Sequence, residues 1–446
     1  MNDLAQLVRE YREQELPQFI PRREIIRELP EPKRFNLVHI ITGMRRSGKT
    51  FYLFQKMSEL IGEGFPSDRI LFFNFSDDRL LPHTASMLSD VVEEYFRQVP
   101  KARELGAYLF LDEVQECSDW EATCQRLAET EKVSLVITGS SSKLSSEQIA
   151  TKFRGRSHSH EMLPLSFAEF CLFNGVEPPD PSEPVSQREQ TRLKGLFDEY
   201  LVKGGFPGVQ SMIAEDRIEM LQSYVRDVVA RDVSERFERE DIALAHQLAL
   251  FGLRNTGCEL SVNGLVDRMK ELGYKIYWEK ADKVLRAFQD AFLICELNEF
   301  TMALKPSTTS NPKVYAIDQG LAYAVSRANQ QDIGKRLETA VYLELRRRLA
   351  GSRTDTITSF TVPNDRKQKV DFIIGDSLGI EKYELFQVSV SLEGESTRKR
   401  EIDSLSAAMS ETGLEESKVI AIDDEESIEV PSGLIEVIPA WRWFLG

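Results

Sequence analysis

From residue 37 onward the chain alternates short apolar runs with amphipathic polar stretches. Residues 37–42, 70–75, 108–111 and 134–138 are β-rich runs bounded by polar or turn-forming residues. Runs of that length, separated by helical patterning, predict parallel strands covered by helices on both faces. Ahead of them, Leu4, Leu7, Val8 and Tyr11 recur at helical spacing, which predicts an N-terminal helix within residues 1–20. A lead-in punctuated by prolines from Pro17 to Pro32 then reads as extended. Further on, residues 177–184 form a proline-rich loop, and helical patterning runs to about residue 241. Residues 242–303 hold three helix-like stretches and an apolar run at 291–296. From Gly334 a long helix precedes a second set of strands at 359–362, 370–374, 383–390 and 418–422. The fold class expected is therefore α/β twice over, with a mostly helical middle.

Composition narrows this. With 446 residues the chain exceeds one ordinary core, so several domains are expected. No apolar run approaches the ~18 residues of a membrane helix, and the first residues lack a secretory pattern. Five cysteines without a C-x-x-C read as free thiols, and the expected location is cytoplasmic, with no membrane partner. The net charge of −16 argues against indiscriminate nucleic-acid binding, and residues 393–446 hold 13 acids against 5 bases.

Chemistry enters at Gly43-Met-Arg-Arg-Ser-Gly-Lys-Thr50, which satisfies G-x-x-x-x-G-K-[ST] between a strand and a helix expected at 50–61. Such a loop aims backbone N–H groups and a helix N-terminus at phosphates. The expected nucleotide contacts are Gly43, Arg45, Arg46, Ser47, Gly48, Lys49, Thr50 and Phe51, with Lys49 reaching the β- and γ-phosphates. Residues 108–113, Tyr-Leu-Phe-Leu-Asp-Glu, end a buried strand on two carboxylates. Asp112 and Thr50 are expected to hold Mg²⁺, and Glu113 to orient the attacking water. The cofactors implied are ATP and Mg²⁺. Ser140, at the tip of the fourth strand, can sense the γ-phosphate or simply close a Gly-Ser turn. Arg156, or its neighbour Arg154, can serve a neighbouring subunit's γ-phosphate or form a solvated basic loop.

These motifs resemble the AAA+ class of P-loop ATPases. Thr138-Gly-Ser-Ser-Ser-Lys-Leu, Arg154-Gly-Arg156, Leu163-Pro-Leu-Ser-Phe-Ala-Glu-Phe170 and Gly204-Gly-Phe-Pro207 resemble one prokaryotic branch of it, over residues 21–437. That branch carries a C-terminal domain of unassigned function. The resemblance implies Ser140 as the sensor position, Arg156 as an arginine finger, and residues 205–207 as part of a helical lid.

Residues 242–303 resemble a winged-helix unit, although 258–300 carry 8 acids and 6 bases, a weak electrostatic footprint for DNA. The last block resembles the restriction-endonuclease fold, with Glu338 on its helix and Asp371 on a strand. Where that pattern needs an acid-x-Lys pair, the chain has Gln387 and Ser389, while Glu384 falls on the opposite strand face. An inactive nuclease is expected, with no ammonium beside the two acids.

The expected organisation is an N-terminal helix (1–20), an AAA+ P-loop core (21–175), a helical lid (176–240), a winged-helix-like domain (241–330) and a nuclease-like domain (331–446). The expected function is an oligomeric Mg-ATP-hydrolysing switch or remodeller acting on a protein client or DNA. The alternatives are a nucleotide-gated DNA-binding module with slow hydrolysis, and an ATP-dependent nuclease.

Overall fold

The computed structural model describes residues 4–139, 153, 155–180, 183–233, 242–300, 311–350, 356–363, 368–375 and 383–446. It divides into two compact units, 1–162 and 163–446.

The first unit is built on β1 (Val38–Thr42), β2 (Ile70–Asn74), β3 (Ala107–Asp112), β4 (Val133–Thr138) and β5 (Ser157–Glu161). All pair in parallel, in the order β2-β3-β4-β1-β5. Every residue of β1, β3 and β4 is buried, which is why these strands read as mostly apolar runs, with His39 and Ser134 as buried polar exceptions. One face carries the core around Val38, Leu109 and Leu135, covered by helices Met87–Gln98 and Trp120–Thr130. The other holds Ile41, Phe110 and Val136 under helix Lys49–Gly62. The N-terminal helix, Leu4–Glu13, buries Leu7 and Val8 in the first of these cores. The four predicted strands are present within about a residue of their expected limits. β5, Ser-His-Ser-His-Glu, was not anticipated: it is a polar strand at the sheet edge, where no second strand demands apolar side chains.

The second unit begins with helices Phe167–Phe173, Gln187–Lys203 and Ala214–Val228. The first two start in capping boxes, Ser166 with Glu169 and Ser186 with Glu189. Leu165 N donates to Gly205 O at 2.7 Å, and Asp318 accepts from Gly205 N at 2.6 Å. Residues 163–175 thus pack within this unit.

Next come helix Ile242–Arg254, β6 (Cys258–Glu259), helices Val262–Glu271 and Trp278–Asp290, β7 (Ile294–Leu297) and β8 (Lys313–Ala316). The three strands form an antiparallel sheet ordered β6-β8-β7. Helix Ile333–Arg348 then leads to β9 (Thr356–Thr361), β10 (Lys369–Gly375), β11 (Glu384–Ser389), helix Glu395–Thr412 and β12 (Glu416–Ala421). A hairpin of β13 (Glu426–Val430) and β14 (Gly433–Pro439) completes a six-stranded sheet ordered β13-β14-β12-β11-β10-β9. β9, β10 and β11 pair antiparallel; β11, β12 and β14 pair parallel.

Candidate functional site

Because β1, β3 and β4 are parallel, their C-terminal ends share one edge of the sheet, where ligands of open α/β sheets bind. The loop after β1 bends back at Gly43, with φ 149°. A Cβ there would stand 2.3 Å from Met162 O, so only glycine fits. Gly48, at φ 104°, turns the chain into helix Lys49–Gly62, whose first-turn amides face the loop. Lys49 is almost wholly buried, and its Nζ donates to Gly43 O at 3.0 Å and Met44 O at 3.1 Å. From there a flexible four-carbon stem can carry the ammonium to a phosphate. Arg22, from the extended lead-in, donates to Ser47 O at 2.7 Å and buttresses the loop from outside.

Thr50, Asp112 and Glu113 converge as the motif requires. Thr50 Oγ1 donates to Asp112 Oδ2 at 2.8 Å, although one strand separates β1 from β3. Thr138, at the end of that intervening strand, donates to Asp112 Oδ1 and accepts from Glu113 N. Asp112 is fully buried, and desolvation and then the Glu113 charge push it up to about 6 against the Thr138 and Thr50 hydrogen bonds and Lys49. Glu113 sits in the left-handed region at φ 55°, a conformation costing a non-glycine residue roughly 1–2 kcal/mol. Such strain gathers where a side chain must be aimed. Its carboxylate accepts from Gln115, and Arg45 lies 4.0 Å away.

The arrangement suits Mg-nucleotide. A hydroxyl and a carboxylate within 2.8 Å form a hard oxygen donor pair of the kind Mg²⁺ takes beside phosphates. Ser47 Oγ is buried without a hydrogen-bond partner among the described residues, a donor at the loop that a phosphate oxygen would satisfy.

The predicted residues Gly43, Arg45, Arg46, Ser47, Gly48, Lys49, Thr50, Asp112 and Glu113 are thus one constellation. Phe51, next after Thr50, is half exposed and edge-on to Phe54. Ser140 and Arg154 lie outside the described residues. Arg156 is not part of its own chain's site. It precedes β5 at the opposite edge of the sheet, about 16 Å of strand from the phosphate loop, and binds Glu129 at 2.6 Å. The residues missed by sequence reading are Thr138, Gln115 and Arg22. Thr138 had a signal, a hydroxyl ending a buried strand next to the one that ends in Asp112.

The C-terminal acids require a correction. Glu338 and Asp371 do have an ammonium beside them: Lys313, from β8, reaches Glu338 Oε1 at 2.9 Å and Asp371 Oδ1 at 3.1 Å. Tyr315 donates to Glu338 at 2.7 Å. Burial works against the Lys313 charge, yet Asp371 and Glu338 hold its pKa above the ordinary value. Gln387 is a bridge, accepting from Asp371 N at 3.1 Å and donating to the buried Glu401 at 2.6 Å. Ser389 bonds its own loop at Ser391 O, and Glu384 pairs with Lys418.

The comparisons agree with the site. Residues 36–171 match the family of the AAA domain, and residues 194–332 match a domain of unknown function. An uncharacterized protein of Methanocaldococcus jannaschii is 33% identical over 418 residues, 92% of this chain and 88% of its own length. Another, of Haemophilus influenzae, is 28% identical over 332 residues, 74% of this chain and 79% of its own. Among solved structures, the Walker-type ATPase PABY2304 of Pyrococcus abyssi aligns with TM-score 0.38 and 12% identity, over 65% of this chain and 90% of that one. The Aeropyrum pernix Orc1 protein in complex with DNA aligns with TM-score 0.28 and 15% identity, over 66% and 87%. Scores this low carry no argument about function. No helix among the described residues is long and apolar enough to cross a membrane. The five-stranded parallel sheet, its phosphate loop and these matches lead to one statement: the chain belongs to the family of its archaeal relative, and the part bearing the loop is an AAA-type P-loop ATPase domain.

Proposed function

We propose that the chain binds Mg-ATP at residues 43–50 and hydrolyses it, using the cycle as a conformational switch within a homo-oligomer. The observation that carries this reading is the hydrogen-bonded chain Thr50–Asp112–Thr138–Glu113 at the edge of the sheet. Bound Mg²⁺ supplies charge neutralisation at the β- and γ-phosphates. Lys49 leaves the loop carbonyls for the phosphates, and Thr50 and Asp112 hold the cation. Glu113 orients the attacking water, with Gln115 and Arg45 fixing its carboxylate. Measuring phosphate release by wild type and Glu113→Gln tests the assignment; equal rates would overturn it.

Arg156 keeps its proposed role toward a neighbouring subunit. Its guanidinium is half exposed, and a surface pair such as Arg156–Glu129 is worth at most about 1 kcal/mol, which a γ-phosphate can outcompete.

A second reading, nucleotide-gated DNA binding, is favoured by one feature. The order helix–strand–helix–helix–strand–strand over residues 242–316, with its β6-β8-β7 sheet, fits the winged-helix expectation. A turnover rate that depends on duplex DNA would select it, and a rate indifferent to DNA would favour a protein client. The helix–three strands–helix–strand order over residues 333–421 fits the endonuclease-like expectation. An inactive nuclease remains our reading, now because Lys313 bonds both acids where a catalytic metal would sit.

A further inference from the structure

Three of the chain's five histidines meet on the ATPase sheet, in a place the nucleotide chemistry does not use. His39 lies on β1 directly opposite His158 on β5, and His160 follows two residues later, opposite Ile41. The strand period of two puts His158 and His160 on one face, so all three imidazoles share it. Each offers a ring nitrogen, and the three nitrogens lie within 4.8 Å of one another. His39 Nδ1 and His160 Nε2 are 3.0 Å apart.

We propose that His39, His158 and His160 form a binding site for a borderline transition metal of the Zn²⁺ class. With Zn–N bonds of about 2.0–2.1 Å, tetrahedral ligand nitrogens stand about 3.4 Å apart, so the rings need only small adjustments to close on an ion. His160 also has a backbone hydrogen-bond partner in Ile25, the outer-shell contact that fixes a ligating imidazole's tautomer and orientation. Burial, with the neighbouring His158, holds His39 down to about 4 and His160 down to about 3, which leaves both rings neutral at physiological pH. Simple packing accounts poorly for the group. Two buried imidazoles on a sheet face that also holds Ile41 and Met162 turn ring nitrogens toward each other and share one hydrogen bond between them. Exposed His158 closes the site from the solvent side and leaves the fourth position open to water.

The ion would join the edge strand β5 to β1 just ahead of the phosphate loop. Met162, next after β5, donates to Thr42 O at 2.8 Å and presents its carbonyl to Gly43. Holding β5 therefore also holds the backbone that shapes the loop.

The test is metal content and affinity of the full chain without a histidine tag. Wild type should retain one equivalent of Zn²⁺ after dialysis and give an intense visible Co²⁺ spectrum in its place. His158→Ala, at an exposed position that leaves folding intact, should weaken Zn²⁺ by at least about tenfold and abolish that spectrum. His83→Ala and His246→Ala, outside the cluster, should match wild type. Equal Zn²⁺ affinity in wild type and His158→Ala, or no metal retained by wild type, would overturn the proposal, whatever the ATPase rate.

Discussion

Thr138 donates its hydroxyl to Asp112, tying the end of β4 to the end of β3 beneath the phosphate loop. This bond works against the burial and the Glu113 charge that push Asp112 up to about 6. Below that pH the carboxyl holds a proton and competes poorly for a cation. Mg²⁺-dependent ATP affinity should therefore fall about tenfold per unit as pH drops below 6. The stability sign is the opposite. A carboxyl raised from 3.8 in the fold contributes stability that is fully present below 3.8 and lost as pH rises through about 6. In Thr138→Val the affinity midpoint should move above 6, read by nucleotide titration at several pH values. An unmoved midpoint would show that Asp112 does not titrate at the cation site.

Lys49→Ala should abolish tight ATP binding, because Lys49 is the one lysine within residues 43–50 and the others of the loop cannot bring an ammonium to the phosphates. Glu113→Gln should keep that binding and slow hydrolysis by about 100-fold or more. Calorimetric binding set beside phosphate release separates the two effects.

Arg156→Ala should be inactive alone and regain part of its turnover when mixed with Glu113→Gln subunits. A trans site needs one intact arginine and one intact glutamate from different chains. Activity that is independent of protein concentration, with no rescue on mixing, would remove Arg156 from the reaction.

Lys313→Met should destabilise the C-terminal unit by about 3–5 kcal/mol, because it leaves Glu338 and Asp371 facing each other uncompensated. Urea unfolding measures this. The same geometry predicts that wild type cleaves neither single- nor double-stranded DNA with Mg²⁺ or Mn²⁺. It also predicts that Asp371→Ala leaves the ATPase rate unchanged. Cleavage that disappears in Asp371→Ala would make the chain a nuclease.

What the sequence determined by itself is what lies close along the chain. The phosphate loop is eight consecutive residues, and its neighbours β1 and helix Lys49–Gly62 follow from periodicity and burial. Asp112 and Glu113 could be read because a buried strand ends on them. The acid-x-Lys test failed in the C-terminal block because it searched the next strand. The ammonium comes instead from β8, 25 residues before Glu338 and 58 before Asp371. The left-handed turn at Glu113, the Thr138 bridge and the histidine trio were likewise decided by tertiary structure. His39 and His160 stand 121 residues apart and meet only because β5 adds to the edge of β1 in one register. Strand order and register are settled by the packing of whole faces, so no local window carries them.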